Sequence, residues 1–389
     1  MEAQGINLLK SRVEKIFGRR IRSSSACQNL CNDIFEVNRD KISFNTIRRL
    51  FISPHAENSP SSYTLNVLSN YCGFSSFDDF ITGVHQSTTI NHEKQHGILV
   101  NYLTSFFKKI EVCKRNDTTY LRIVQQTILH LEQYPDLIDC FQKEIAKTEN
   151  GQKFYFEKFI FIDKLNSYYG LGLQYYLNEK KTKEAQLFGH SLLCYHSWLI
   201  QNNEGVERHY KKGTRFSIDK STSSPVVARY FAAQLFYNNV FSLNQDSLLA
   251  KIRQSYLSIK EYKESYSYLN CFEVILSEAL ILVSHYDEAQ FYIDEILEKG
   301  KRNISSYIDV ALGENICLLK AIVFAHTGKE KKAYEILQDI NPYRFSFLSK
   351  QYQSILYLSI KQIFKNKTQD KEQIQHLIRE TGFVRLSSI

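Results

Sequence analysis

The scarcity of residues that break helices is the strongest constraint on how this chain can fold. Only five prolines and 15 glycines occur in 389 residues, and both residue types destabilise the interior of a helix. Aromatic residues make up 13% of the chain, and such large rings fill the space between packed helices efficiently. Because apolar residues also recur at spacings of three and four, the sequence predicts an all-α protein.

The cysteines and the start of the chain predict a protein of the cytoplasm. Eight cysteines are scattered without a C-x-x-C pair. Cys27 and Cys31 share one helix face, and we interpret them as buried structural thiols rather than as a metal-binding pair. The N-terminus lacks the pattern of a signal peptide, and no apolar stretch approaches the roughly 20 residues of a membrane helix. Free thiols and the lack of membrane segments indicate a reducing compartment and no membrane partner.

Residues 1–82 form one compositional unit, for which the sequence predicts five short helices. The third, Ser43–Phe51, begins with a serine that can cap it and carries Ile47, Leu50 and Phe51 as a buried stripe. The stretch 83–91 is polar and weakly patterned, and it predicts a hinge. Residues 92–389 then alternate long helical patterns with short polar breaks.

Two blocks in the N-terminal unit, I-S-F-N-T-I-R-R-L-F and Y-T-L-N-V-L-S-N-Y-C-G-F-S-S-F-D-D-F, resemble a known module. It is an N-terminal module of many uncharacterised bacterial proteins and is usually interpreted as a repressor-like DNA-binding domain. The resemblance covers about the first fifth of the chain. It implies a small helix-turn-helix-like fold, and with it a role in binding DNA.

A short motif recurs in the C-terminal region at the start of the second helix of a pair. Its copies contain Ala185, Ala289 and Ala333, and a small alanine lets two helices approach closely. The copies resemble tetratricopeptide (TPR) repeats, which implies a right-handed α-solenoid of helical hairpins. The spacing of Ala289 and Ala333 exceeds the usual period of about 34 residues, so a less regular helical solenoid is an alternative.

The candidate nucleic-acid contacts lie on and before the third helix. Asn45 and Thr46 near the helix start could reach base edges, and Arg48 and Arg49 can bind guanine or phosphate. Ser43, the expected cap, is a further candidate contact. A basic run between residues 10 and 22 could flank a duplex, and its last members are Arg19, Arg20 and Arg22. The alternative is that these charges form a solvated face, with Asp78 and Asp79 weakening the positive field.

Residues 92–96 match the zinc-protease pattern H-E-x-x-H, in which two histidines bind one metal ion. His92 and His96 lack the apolar neighbours and the third ligand of such enzymes. We therefore interpret them as the solvated start of a helix. The sequence contains no other recognisable catalytic or phosphate-binding motif, and it predicts neither an enzyme nor a cofactor.

These features favour a cytoplasmic DNA-binding transcriptional regulator. Its front domain would bind double-stranded DNA, and its helical array would sense a peptide or protein partner in a concave groove. Bacterial regulators that join a repressor-like domain to TPR-like repeats share this architecture. A homodimer is expected, because one helix-turn-helix reads few base pairs. The alternative is a non-enzymatic protein-interaction scaffold that does not bind DNA.

Overall fold

The computed structural model describes residues 2–18, 20–52, 60–109, 118–261, 272–299, 307–365 and 367–388. All regular secondary structure in these ranges is helical, so the prediction of an all-α protein is confirmed. The chain divides into two compact units, Met1–Leu99 and Val100–Ile389.

The N-terminal unit is a small bundle built around one hydrophobic core. Its helices are α1 (Glu2–Phe17), α2 (Ser24–Asn38), α3 (Phe44–Phe51), α4 (Ser62–Tyr71) and the first part of α5 (Phe77–Lys109). Helix α2 packs against α3 and α4, and α1 packs against α4. Leu9, Val13, Leu30, Ile47 and Leu68 lie in the shared core, which confirms the apolar spacing used to predict these helices.

The stretch predicted as a hinge, residues 83–91, is helical and lies within α5. The short fifth helix expected around Phe77 is thus the start of a 33-residue helix. The cause is visible in the sequence, because residues 83–91 contain one glycine and no proline. A polar composition alone does not end a helix. The boundary between the two units falls later, after Leu99.

The C-terminal unit is an array of helices in which sequence neighbours pack as antiparallel pairs. Its first helices are α6 (Thr118–Leu131), α7 (Pro135–Ala146), α8 (Tyr168–Glu179), α9 (Lys183–Leu199), α10 (Asn203–Gly213), α11 (Ser224–Val240) and α12 (Asp246–Glu261). They are followed by α13 (Phe272–Leu282), α14 (Tyr286–Lys299), α15 (Tyr307–His326), α16 (Glu330–Asp339), α17 (Lys350–Phe364) and α18 (Thr368–Thr381). The pairs α9–α10, α13–α14, α15–α16 and α17–α18 are in close contact.

The alanines of the recurring motif lie where two helices approach each other. Ala289 and Ala333 are completely buried, and Ala185 is 3% exposed. They belong to α14, α16 and α9. Helices α14 and α16 are the second members of the pairs α13–α14 and α15–α16, whereas α9 contacts both α8 before it and α10 after it. Because these positions are buried, a larger side chain there would have to displace its neighbours.

Alternate helices also contact one another and form a row, and the two ends of this row are connected. Helices α9, α11, α13, α15 and α17 touch in that order. The Asp163 carboxylate, in a short turn before α8, accepts hydrogen bonds from the backbone N–H groups of Gln351 at 2.8 Å and Tyr352 at 2.9 Å. In the segment after α18, Arg385 Nε donates a hydrogen bond to the Trp198 carbonyl near the end of α9 at 2.8 Å. Contacts between residues nearly 190 positions apart therefore join the last helices to the first.

One helix of this unit lies inside a stretch that the sequence predicted as a polar break, residues 201–224. Helix α10 begins after Asn202, whose side-chain oxygen accepts a hydrogen bond from Gly205 N at 2.9 Å. Val206, its one fully buried aliphatic residue, is 0% exposed. So little apolar surface gives no recognisable period, and the cap is the main sequence signal for this helix.

The most apolar run of the chain, residues 279–283, is part of the protein core. Residues 279–282 are the end of α13 and Val283 directly follows it, and all five are buried. Among the residues that the structure describes, no helix combines the length and the apolar character needed to cross a membrane.

Candidate nucleic-acid interface and a buried polar cluster

Helix α3 is held in place by its cap and by the core of the N-terminal unit. Ser43 Oγ accepts a hydrogen bond from Thr46 N at 3.1 Å, and the two side-chain hydroxyls lie 2.8 Å apart. Ile47 is fully buried, and Phe44, Leu50 and Phe51 pack around the same core. The Ser43 hydroxyl thus caps the N-terminus of α3, and the Thr46 hydroxyl is hydrogen-bonded to it.

The other predicted contact residues form the outer face of α3. At 100° per residue, Asn45 and Arg49 point away from Ile47, and Thr46 and Arg48 lie on the two flanks. Asn45, Arg48 and Arg49 are exposed, and Thr46 is half-buried. The structure therefore brings an amide, two guanidinium groups and a hydroxyl onto one short helix, with Asn45 and Arg49 adjacent at a spacing of four.

The arginines of α3 have no acidic partner among the residues that the structure describes. Within the described ranges, neither Arg48 nor Arg49 forms an ion pair. Burial raises the pKa of the Cys27 thiol on α2, and Arg48 partly offsets this shift, which places Arg48 beside that helix. Lys10 Nζ of α1 lies 5.7 Å from the centre of the Phe51 ring. Cations from two helices therefore gather at α3.

Several acids of the N-terminal unit are used internally. Glu14, the acid within the basic run, accepts a hydrogen bond from Ile21 N at 2.9 Å. Asp33 accepts one from the Tyr71 hydroxyl, and Asp79 accepts from Ser75 N at 2.9 Å. Glu14 and Asp33 are half-buried, whereas Asp79 is exposed, so only the first two carboxylates are turned toward the protein.

The structure describes two of the three arginines that end the basic run before α2. Arg20 and Arg22 are exposed in the connection between α1 and α2, whereas Arg19 lies outside the described residues. Residues 1–52 contain ten Lys and Arg residues against five Asp and Glu residues. The first half of the N-terminal unit thus carries the excess of positive charge that a polyanion partner requires.

His92 and His96 lie in the middle of α5 rather than at the start of a helix. Their side chains are outside the described residues, so a zinc site there stays untested. Among the side chains that are described, no group of three or more His, Cys, Asp or Glu residues could hold a metal ion. His190 and His209 form a pair, with their Nδ1 atoms 3.3 Å apart. Burial lowers their pKa values to about 4 and about 3, which leaves both neutral at pH 7.

The sequence did not reveal a polar cluster inside the C-terminal unit. Tyr195 Oη of α9 donates to Glu278 Oε1 of α13 at 3.1 Å. Arg229 of α11 and Tyr352 of α17 lie close enough to affect the same carboxylate. Four helices thus contribute to one point, although the residues are spread over more than 150 positions. The one sequence signal for this cluster was the charged residue within each of two strongly apolar helices, Arg229 in α11 and Glu278 in α13.

No protein-family model, curated protein or solved structure matches this chain.

Proposed function

We propose that this chain is a cytoplasmic DNA-binding transcriptional regulator. In this proposal the N-terminal unit is a helix-turn-helix-like domain that places α3 in the major groove of double-stranded DNA. The C-terminal unit is a TPR-like, right-handed solenoid that senses a peptide or protein partner. Two copies of the chain bind two half-sites as a homodimer, because a single reading helix contacts too few base pairs for high affinity.

The observation that carries the proposal is the outer face of α3. Asn45 and Arg49 point away from the buried Ile47 and sit side by side. An asparagine can pair with adenine and an arginine with guanine through two hydrogen bonds each. Arg48 on the flank of α3, together with the exposed Arg20 and Arg22 between α1 and α2, supplies cations for phosphate oxygens. Specific and electrostatic contacts are thus available together.

The sensing role of the C-terminal unit is supported by its organisation. Its paired helices, with buried Ala185, Ala289 and Ala333, are typical of repeat arrays that bind extended or helical partners. The unit makes up about three quarters of the chain, far more than is needed to position one small domain. A large array next to a small basic domain is expected when one part responds to a signal and the other acts on it.

Arg49→Ala is expected to weaken binding of the preferred duplex by about 1–3 kcal/mol and to relax base preference at one position. Arg48→Ala is expected to weaken binding to all duplexes and to lower the slope of log K against log salt by about one contact. The measurement is fluorescence anisotropy with labelled duplexes over a series of salt concentrations. The preferred duplex is first selected from a random pool, in which a two-fold repeated site is expected.

Arg379→Ala is the matched control, because Arg379 is an exposed arginine on α18 of the other unit. It should leave both affinity and slope unchanged. All three variants should melt at nearly the wild-type temperature, since none of the arginines is buried. An absence of DNA binding at low salt, or a binding constant that does not depend on salt, would favour the non-enzymatic interaction scaffold instead.

Substitutions of Ser43 should separate its capping role from any contact with DNA. Ser43→Ala removes the cap and is expected to cost α3 about 1 kcal/mol. Ser43→Asp keeps the cap but adds a negative charge at the proposed interface. Hydrogen exchange of the α3 amides should therefore rise in the alanine variant only, whereas the aspartate variant should lose DNA affinity with α3 still protected. Equal DNA affinity in wild type and Ser43→Asp would place the duplex elsewhere.

A further inference from the structure

Three cations line one side of α10 in the C-terminal unit. Arg208 and Lys212 are four residues apart on this helix, and Arg215 follows three residues later. Thr214, directly after the helix, still has helical backbone angles, with φ −70° and ψ −6°, so Arg215 keeps the helical register. At 100° per residue the three side chains leave the helix within about 60° of one another, and all three are exposed. We call Arg208, Lys212 and Arg215 the basic stripe.

The positive charge of the basic stripe is not compensated by the acids of this stretch. Glu207 pairs with Lys211 at 2.5 Å, and Asp219 pairs with Lys183 of α9. Glu204, one turn before the stripe, is exposed, and no acid among the described residues forms an ion pair with the stripe. Because like charges at a spacing of four repel one another along a helix, the stripe is a surface that an anion would stabilise.

The helix dipole does not account for all three cations. Cations in the last turn of a helix interact favourably with its dipole, and this effect falls off within that turn. Helix α10 ends at Gly213, so Lys212 lies in its last turn. Arg208 lies in the turn before, and Arg215 lies beyond the end of the helix. These two arginines therefore need another explanation.

The basic stripe lies beside the His190–His209 pair. Arg208 adjoins His209 in sequence. Lys212 adjoins Gly213, where an added Cβ would lie 3.7 Å from His190 Cβ. The centroids of the two imidazole rings are 5.5 Å apart. Burial is the main cause that lowers the pKa of both histidines, and Lys212 lowers both pKa values further. The cations of the stripe therefore gather around one polar pair where α10 packs against α9.

We propose that the basic stripe binds a phosphate monoester on a partner peptide, that is, a phosphorylated side chain. Such a group carries nearly two negative charges and three strong acceptor oxygens. Arg208 and Arg215 each donate paired N–H bonds to phosphate oxygens, and Lys212 between them adds a point charge. Clusters of arginine are a recurrent means of recognising phosphorylated peptides. The proposal rests on the sensing role given above to the C-terminal unit, and it names the partner class.

Charge and exposure favour this class over other ligands. A carboxylate brings one negative charge and two oxygens, so it leaves more of the positive charge of the stripe uncompensated. A small phosphorylated compound is expected in a concave site that buries most of its surface, whereas the three side chains of the stripe are exposed. A metal ion at the His190–His209 pair would be repelled by the same three cations.

Peptide pools of defined central residue test the proposal. The full chain, without DNA, is titrated into fluorescent pools with phosphoserine, phosphothreonine or phosphotyrosine at the centre and degenerate flanking positions. Matched pools carry serine or aspartate at the centre, and binding is measured by anisotropy. We expect at least one phosphorylated pool to bind, and the serine and aspartate pools to bind about tenfold or more weakly. Free phosphoserine should compete only weakly, because it lacks the flanking peptide.

Variants of α10 assign the binding to the stripe. Arg208→Ala and Arg215→Ala should each weaken binding of the phosphorylated pool about tenfold, the loss expected for one charged hydrogen-bond partner. Lys211→Ala is the matched control, because Lys211 is next to Lys212 and also exposed but is paired with Glu207. It should bind as the wild type does. All three variants should melt at nearly the wild-type temperature, since the substituted side chains are exposed.

Four results would overturn the proposal. The first is equal binding of the phosphorylated and serine pools, or no binding of either. The second is an equal loss in Lys211→Ala and Arg215→Ala, which would reduce the stripe to a non-specific positive surface. The third is free phosphoserine binding as tightly as the pool, which would indicate a small phosphorylated compound. The fourth is a loss of duplex affinity in Arg208→Ala as large as that in Arg48→Ala, which would assign the stripe to nucleic acid.

The outcome of this test is separate from that of the DNA-binding test. DNA is absent from the peptide titrations, so failure of α3 to bind a duplex would not change their result. Failure of every phosphorylated pool would likewise leave the salt dependence and base preference of duplex binding unaffected.

Discussion

Asp163→Ala is expected to lower the free energy of unfolding of the C-terminal unit by about 2–4 kcal/mol at pH 7. Asp163 is 6% exposed, and its two oxygens accept from Gln351 N at 2.8 Å and Tyr352 N at 2.9 Å. Helix α17 has no side-chain cap of its own, since Ser349 at its N-cap makes no such hydrogen bond. A carboxylate distant in sequence therefore caps this helix and interacts favourably with its dipole.

The pH dependence of this effect has a defined sign. Burial is the largest cause that raises the pKa of Asp163 from 3.8 to about 6, and the backbone hydrogen bonds oppose it. The folded protein thus binds the proton more tightly than the unfolded chain between these values. The contribution of the group to stability is largest below its unfolded pKa and falls as the pH rises toward about 6.

The advantage of the wild type over Asp163→Ala should therefore grow by up to about 2–3 kcal/mol when the pH falls from 7 to 4. Urea unfolding of both proteins, at several pH values, measures this difference directly, because other carboxylates titrate equally in the two proteins. Asp339→Ala, an exposed aspartate at the end of α16, is the control and should change stability little. A difference that stays constant with pH would contradict the burial of the Asp163 carboxylate.

The local features of the fold could be predicted because each depends on a few neighbouring residues. Ser43 was expected to cap α3 and does so, and Ile47 was expected to be buried and is. Ala289 and Ala333 lie in helix contacts because a small residue recurs where a pair closes. Such signals have a range of one or two helical turns, which is the range of the hydrogen bonds and contacts that cause them.

The features that the sequence did not predict depend on distant residues or on weak patterns. Asp163 and Tyr352 are nearly 190 positions apart, and nothing in either local sequence indicates that they meet. The Tyr195–Glu278 hydrogen bond has the same origin. The helical course of residues 83–91 was missed because polar residues without proline fit both a linker and an exposed helix face. The local sequence determines where helices can form, whereas the packing of the whole unit determines which distant side chains come together in a site.

The candidate site on α3 could be predicted more fully than the buried cluster for the same reason. Asn45, Arg48 and Arg49 belong to one helix, so their common face follows from helical geometry alone. The distance between two members of the buried cluster follows from the packing of five alternating helices. The sequence shows only that a charge such as Arg229 sits among apolar residues, which marks a special position without naming its partners.

Phe383→Ala is expected to have the largest effect of a single substitution, about 3–5 kcal/mol of unfolding free energy. The segment after α18 folds back onto α9, and in it Phe383 and Leu386 are 0% exposed. The ring centroids of Phe383 and Tyr352 are 6.4 Å apart, and Arg385 Cζ lies 4.8 Å from the centroid of the Trp198 ring. These residues connect α9 and α17, the two ends of the row of alternate helices. Removing the Phe383 ring should therefore weaken this connection, which we call the closure, as well as the local packing. Val384→Ala is the matched control, because Val384 is 41% exposed and lies between the buried residues; it should cost less than about 0.5 kcal/mol.

Urea unfolding followed by Trp198 emission and by circular dichroism measures both variants. In Phe383→Ala, the emission of Trp198 should also shift before the main transition, because opening of the closure exposes the end of α9 to water. Hydrogen exchange should then be fastest in α9 and α17, the helices that the segment holds together, and unchanged in the N-terminal unit. Equal effects of Phe383→Ala and Val384→Ala would show that the segment contributes nothing specific, and the row of helices would then be stable without closure.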